Sequence, residues 1–262
     1  MYLFYKAIIC FIAGTGAGLG TGFAGMSAAA VISPMLITFL DMNPYEAVGI
    51  ALASDVLASA VSAYTYQKNG NLDIRNGIAM MMTVLLFTVM GSWVSSLVPS
   101  ATMGSFSVIM TLMLGVKFIV RPVMTTKEAM SSIPLKKRLA QSVICGIVIG
   151  FICGFIGAGG GMMMLMILTS VMGYELKTAV GTSVFIMAFT ALTGAGSHFA
   201  IGNAPDLWCL GFCIIFTLFW ARVAAIFANK ASPSTLNRVT GAILVILGAV
   251  ILSVGNFSFP VF

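Results

Sequence analysis

Two stretches of the chain combine residue types and spacing suited to holding an anion. One reads Gly22-Phe-Ala-Gly25-Met26-Ser27-Ala28, the other Gly154-Phe-Ile-Gly157-Ala158-Gly159-Gly160-Gly161. Glycine lets a chain leave helical geometry and brings backbone close to a ligand. A short apolar segment follows each stretch and would start a new helix there. The first amides of such a helix lack internal partners, and its end carries about half a positive charge. Two such ends converging would form an anion site. Hydroxyls could add to it: Ala179-Val180-Gly181-Thr182-Ser183 opens a later helix. Thr182 and Ser183 either donate to the anion or bond their own backbone at a helix start. The candidate substrate-binding set is therefore Gly25, Met26, Ser27, Ala28, Gly157, Gly159, Gly160, Gly161, Thr182 and Ser183.

Other polar residues carry two readings each. Asp55 falls in the middle of an apolar stretch, where a carboxylate is costly and marks a functional candidate. It either titrates and couples movement of the anion to protons, or is a structural group bonded beside Ser54 and Ser59. Arg222 either attracts an anion at a cytoplasmic mouth or snorkels to the lipid headgroups. His198, the single histidine, reads as structural. The five cysteines all lie in apolar runs without Cys-x-x-Cys spacing, and read as inert packing. The nineteen methionines lack His or Cys companions at ligand spacing, so no metal site is expected. There is no catalytic triad and no Gly-Lys-Ser/Thr phosphate loop, so neither an enzyme nor an ATP-driven pump is expected, and no cofactor.

The elements that must position these residues are set by composition. Sixty per cent of the 262 residues are hydrophobic and 8% are charged, against about a quarter charged in soluble domains. The surrounding solvent is therefore a lipid bilayer, and the fold class an all-α polytopic membrane protein. Ten apolar stretches are predicted: 7–24, 26–40, 46–66, 77–98, 103–120, 139–156, 158–172, 178–200, 207–228 and 236–255. The second and seventh are too short to span and read as arms of glycine-broken or re-entrant hairpins. The net charge of +6 is dispersed between apolar runs, so it reports orientation and not nucleic-acid binding. The loop Arg121–Arg138 carries five basic residues and is expected in the cytoplasm. Counting outward leaves only Lys6 of thirteen basic residues outside, with Asp41, Glu46 and Asp206, and puts both termini outside.

A shift of 132 residues aligns the two halves without a gap. Gly14 meets Gly146, Gly18 meets Gly150, Gly22-Phe23 meets Gly154-Phe155, and Ala47-Val48-Gly49 meets Ala179-Val180-Gly181. Gly70-Asn71 meets Gly202-Asn203. Residues 1–120 are thus a first repeat, 121–138 a cytoplasmic basic loop and 139–262 a second repeat. With an odd number of crossings per copy the repeats are inverted, an arrangement that places transporter sites near the midplane. Gly14, Gly18 and Gly22, spaced by four, are read as close helix packing.

At Gly150-Phe-Ile-Cys-Gly154-Phe-Ile-Gly157-Ala-Gly-Gly-Gly161, Ala179-Val-Gly-Thr-Ser183 and Gly202-Asn203, the sequence resembles the sulfite exporter TauE/SafE family. The segment around Ala221-Arg222, followed by Lys230 and a last helix, is also similar, and the resemblance covers nearly the whole chain. It departs at Met26-Ser27-Ala28, where a fuller glycine run is common, and at Asp55. The resemblance implies a multi-pass inner-membrane permease for sulfite, organosulfonates or related small anions, often exporting, with about eight spans in two repeats, which the ten stretches fit if the glycine hairpins count as broken or re-entrant elements. The expectation is a secondary transporter whose partners are the anion, the bilayer and, through Asp55, protons. A passive anion channel and a non-transporting membrane scaffold stand as alternatives, and oligomeric state is left open.

Overall fold

A computed structural model describes residues 2–95, 112–113, 115–131, 134–156, 160–201 and 205–258. Among these the chain is all-helical, without strands. The helices are α1 (Tyr2–Ala24), α2 (Ala29–Leu40), α3 (Pro44–Lys68), α4 (Ile74–Ser95), α5 (Lys127–Ser131), α6 (Leu135–Ile156), α7 (Gly160–Ser170), α8 (Leu176–Ile201), α9 (Leu207–Lys230) and α10 (Pro233–Ser258), with a further helical piece over 115–120. Five are long and apolar enough to cross a membrane: Leu3–Ala24, Pro44–Lys68, Leu176–Gly196, Leu207–Lys230 and Pro233–Val250. Ala29–Leu40 and Ile74–Met90 are shorter apolar helices.

The boundaries follow local chemistry. Asn43 caps α3 by accepting from the Tyr45 amide, with Pro44 in the first turn and Glu46 at the positive end. Asp206 caps α9 by accepting from the Trp208 and Cys209 amides. α1 stops at Gly25, whose φ of 61° lies in the left-handed region and whose amide bonds the Thr21 carbonyl. The expected start of the second stretch at residue 26 moves to Ala29, because 25–28 form the irregular link between helices. α5 lies inside the basic loop and was not expected, since five residues leave no periodic signal.

Two tight helix couples hold the bundle together, and each joins one half of the chain to the other. α1 lies on α9: a Cβ on Gly18 would stand 2.6 Å from the Thr217 carbonyl oxygen, and one on Gly22 would overlap Ala224. α6 lies on α4: a Cβ on Gly150 would stand 2.5 Å from the Val84 carbonyl oxygen, and one on Gly146 would overlap Thr83. These glycines let backbones approach where any side chain would hold them apart. α3 and α8 meet between the couples, with Gly194 against Leu52 and Gly181 against Tyr66 and the Asn71 carbonyl.

Polar contacts collect at two opposite ends of the bundle. At one end Tyr5 Oη donates to the Phe39 carbonyl (3.1 Å), Lys6 pairs with Asp206, and the Asp206 amide donates to Glu46 Oε1 (2.7 Å). At the other, Asn71 Nδ2 donates to Asn229 Oδ1 (2.6 Å), Lys177 Nζ to the Asn229 carbonyl (2.9 Å), and Arg138 pairs with Asp73 (3.1 Å). α3 runs from the first end to the second, ~37 Å at 1.5 Å per residue. Between them the outer surface exposes Ile12, Leu57, Leu86, Val89, Ile144 and Phe219, the apolar belt that lipid requires.

Candidate functional site

The site is built from the first helix break outward. Thr21 Oγ1 donates to the Met26 carbonyl (3.0 Å), and Met26 packs fully buried over Gly20. This folds 25–28 back across the end of α1. Ser27 Oγ then accepts from the Ala29 amide (3.3 Å) at the start of α2 and donates to Asp55 Oδ2 (2.7 Å). Ser59 Oγ, one turn along α3, donates to Asp55 Oδ1 (2.8 Å), and the Ala28 amide also bonds this carboxyl. Asp55 has no exposed surface. Neither ion pair among the described residues involves it; these are Lys6–Asp206 and Arg138–Asp73. The α2 N-terminus thus already holds a carboxyl group, supplied by the protein itself.

The start of α7, in the second glycine stretch, comes from the other half of the chain and meets the first break. α6 ends at Ile156 and α7 begins at Gly160. Gly161 packs directly on the backbone of 25–27: a Cβ there would lie 2.9 Å from Met26 Cα and 3.1 Å from the Ser27 nitrogen, and would overlap the Gly25 carbonyl. Ser183 Oγ, on α8, donates to the Gly25 carbonyl (3.0 Å) with the Gly161 carbonyl at 3.4 Å. Gly25, Met26, Ser27, Ala28, Gly161, Ser183 and Asp55 therefore form one buried group.

The other expected residues fall elsewhere. Thr182 Oγ1 accepts from the Asp73 amide (3.2 Å), toward the α4 end of the molecule. Arg222 is exposed on the face of α9 that carries Val223, Ile226 and Phe227, opposite the buried Ala221, Ala224 and Ala225. Gly157 and Gly159 lie outside the described residues, as do Gly202-Asn203 and the side chain of His198. Ser54 bonds the Ile50 carbonyl (2.9 Å) and not Asp55; Ser27, 28 residues away in sequence, takes the place expected of it.

Several functional contacts were not anticipated from sequence. Tyr66 Oη donates to the Gly22 carbonyl (2.9 Å) and Thr240 Oγ1 to the Phe23 carbonyl (3.2 Å), satisfying the free carbonyls at the end of α1. Asp73 is a hub: it accepts from Arg138, Asn76 Nδ2 (2.7 Å) and Tyr174 Oη (2.9 Å). Burial alone would raise its pKa, but the hydrogen bonds from Asn76, Tyr174 and Arg138 outweigh this and hold the carboxyl below the usual range. One signal was available. The 132-residue shift places Lys6 on Arg138, the basic members of the two ion pairs.

Comparison with known proteins supports the same assignment. A probable membrane transporter protein of Bacillus subtilis, YunE, is 24% identical over 254 residues, covering 92% of this chain and 93% of its own. One from Methanocaldococcus jannaschii is 24% identical over 251 residues, covering 90% and 88%. A third, YdhB of Bacillus subtilis, is 34% identical over 112 residues, or 42% of this chain and 44% of its own. No solved structure matches the chain. The family described as Sulfite exporter TauE/SafE matches residues 10–251, so this multi-pass chain belongs to that family of membrane transporters.

Proposed function

We propose that the protein is a proton-coupled secondary transporter of a small sulfur-containing oxyanion, sulfite or an organosulfonate, in the inner membrane. In this reading the halves are inverted copies with about eight spans and both termini outside. The substrate sits between the two glycine breaks.

One observation carries the proposal: the first helix break and the start of α7, from different halves, touch at a buried centre that contains Ser27, Asp55 and Ser183. An ionised Asp55 claims the Ser27 hydroxyl and the Ala28 amide. Protonation removes its charge and releases those donors, together with the positive end of α2, to an incoming oxyanion. Anion and proton then travel together. For a monoanion this step is electroneutral, so the membrane potential does not drive it. Net export follows when the outward anion gradient exceeds the inward proton gradient.

Purified protein in liposomes tests this. A thermal-shift panel of sulfite, sulfate, thiosulfate, taurine and sulfoacetate should single out one class of anion. That anion should then accumulate against its gradient when a pH difference is imposed. Flux that only equalises concentrations identifies a passive channel, and no flux of any anion in the panel sinks the reading.

A further inference from the structure

We propose that the bodies moving during transport are not the two halves of the sequence: one is built around α1 and α9, the other around α6 and α4. This rests on the alternating-access reading above and names its moving parts.

Each couple joins helices from different halves, and two independent features lock it. The first is backbone contact through glycine. Gly14, Gly18 and Gly22 bring α1 against Thr217, Ala221 and Ala224 of α9, while Gly146 and Gly150 bring α6 against Met80, Thr83 and Val84 of α4. Packed surfaces without side chains between them resist sliding and rotation, since any shift drives backbone into backbone. The second is an ion pair at the end of each couple. Lys6 of α1 meets Asp206, which also caps α9, and Arg138 of α6 meets Asp73, which also caps α4. The pairs lie at opposite ends of the bundle, and their basic members coincide under the 132-residue shift.

If the halves rocked against each other, both couples would have to shear at their tightest surfaces. The contact across the centre is of another kind. At Gly25–Gly161 it is backbone against backbone at one point, bridged by one serine hydroxyl; Gly181 of α8 meets the Asn71 carbonyl at a second point, and farther along α8 the side chain of Leu52 lies against Gly194. Backbone contact at isolated points can act as a pivot, whereas a stripe of it along two paired helices resists shear, so motion belongs at this seam.

Cross-linking separates the two schemes, because a Lys6–Asp206 link ties one sequence half to the other. In a background with the native cysteines replaced by alanine, Lys6→Cys with Asp206→Cys is joined by a short bifunctional thiol reagent. Leu52→Cys with Gly194→Cys is joined likewise across the seam. The readout needs no substrate: Ser27→Cys is added to each pair and, after cross-linking, is labelled by a membrane-impermeant thiol reagent from each side of oriented vesicles. The 6–206 link should leave labelling from both sides within about twofold of the unlinked protein, and the 52–194 link should cut it at least about tenfold from one side. Loss of two-sided labelling on the 6–206 link overturns the proposal. Unchanged labelling on the 52–194 link overturns the seam. Ser27→Cys that labels from one side only without any link removes alternating access altogether. Anion flux in the same vesicles reports separately on the substrate reading. An Asp73→Cys, Arg138→Cys pair repeats the first test at the other end should the Lys6 variants fold poorly.

Discussion

The two glycine stretches match under the 132-residue shift, yet they are furnished differently. At the first, Asp55 closes over the α2 N-terminus with Ser27, Ser59 and the Ala28 amide around it. The 132-residue shift carries Asp55 onto Met187, Ser59 onto Ala191 and Ser27 onto Gly159, so the second break lacks this carboxylate and its hydroxyls. In return it has Gly161 and Ser183, where the first half has Ala29 and Ala51. The first holds a carboxyl group of the protein's own; the second keeps bare backbone and a hydroxyl that bonds carbonyls of both. Two stretches that match in sequence thus need not be equal half-sites. In the proposed coupling the first holds and releases the proton and the second approaches it closely, so a single anion per cycle is expected.

This contrast can be broken most forcefully at Gly161. Gly161→Leu drives a side chain into the backbone of Gly25, Met26 and Ser27. Liposome flux should fall on the order of a hundredfold, the scale of a ~1 Å displacement in a positioned site. Unchanged flux would show that the two breaks need not touch.

Next comes Asp55→Asn, which keeps volume and removes the titrating group. The pH-driven component of uptake should fall about tenfold or more, equivalent to ~1.4 kcal/mol or more of lost coupling. Full pH-driven accumulation by this variant would end the coupling role. Ser27→Ala removes one donor to the same carboxyl, and should lower stability by about 1.5–3 kcal/mol if Asp55 is ionised, measured by thermal unfolding in detergent. A change below about 0.5 kcal/mol would point to a neutral group.

Ser183→Ala tests the bridge between the breaks. Its hydroxyl bonds only carbonyls, so a loss of about 1 kcal/mol is expected in the same melt, with the pH dependence of flux retained. The smallest effect belongs to Met187→Leu, the position that matches Asp55. It should cost under about 1.5 kcal/mol and leave the pH dependence of flux untouched. A shifted pH profile would mean that the second break also takes part in coupling.

Much of this molecule was legible in the chain itself. A charged content of 8% and repeated apolar runs settle the lipid setting and the helical fold, because hydrocarbon admits no unpaired backbone. The glycines at 22–25 mark where α1 ends, since glycine both releases a helix and tolerates positive φ, and Gly160 stands where α7 begins. The role of Gly14, Gly18 and Gly22 in packing follows from their spacing by four, which puts them on one helix face. What could not be read is which distant groups meet. Ser54 stands next to Asp55 in sequence, but its hydroxyl turns back to its own helix, and Ser27 arrives from another segment. Thr182 and Ser183 are neighbours, yet a helix turns successive side chains by about 100°, and so one faces the breaks and the other Asp73. Pairing α1 with α9 and α6 with α4 was likewise decided by tertiary packing. The sequence says which helix faces are bare enough for close contact, but not which bare face will find which partner.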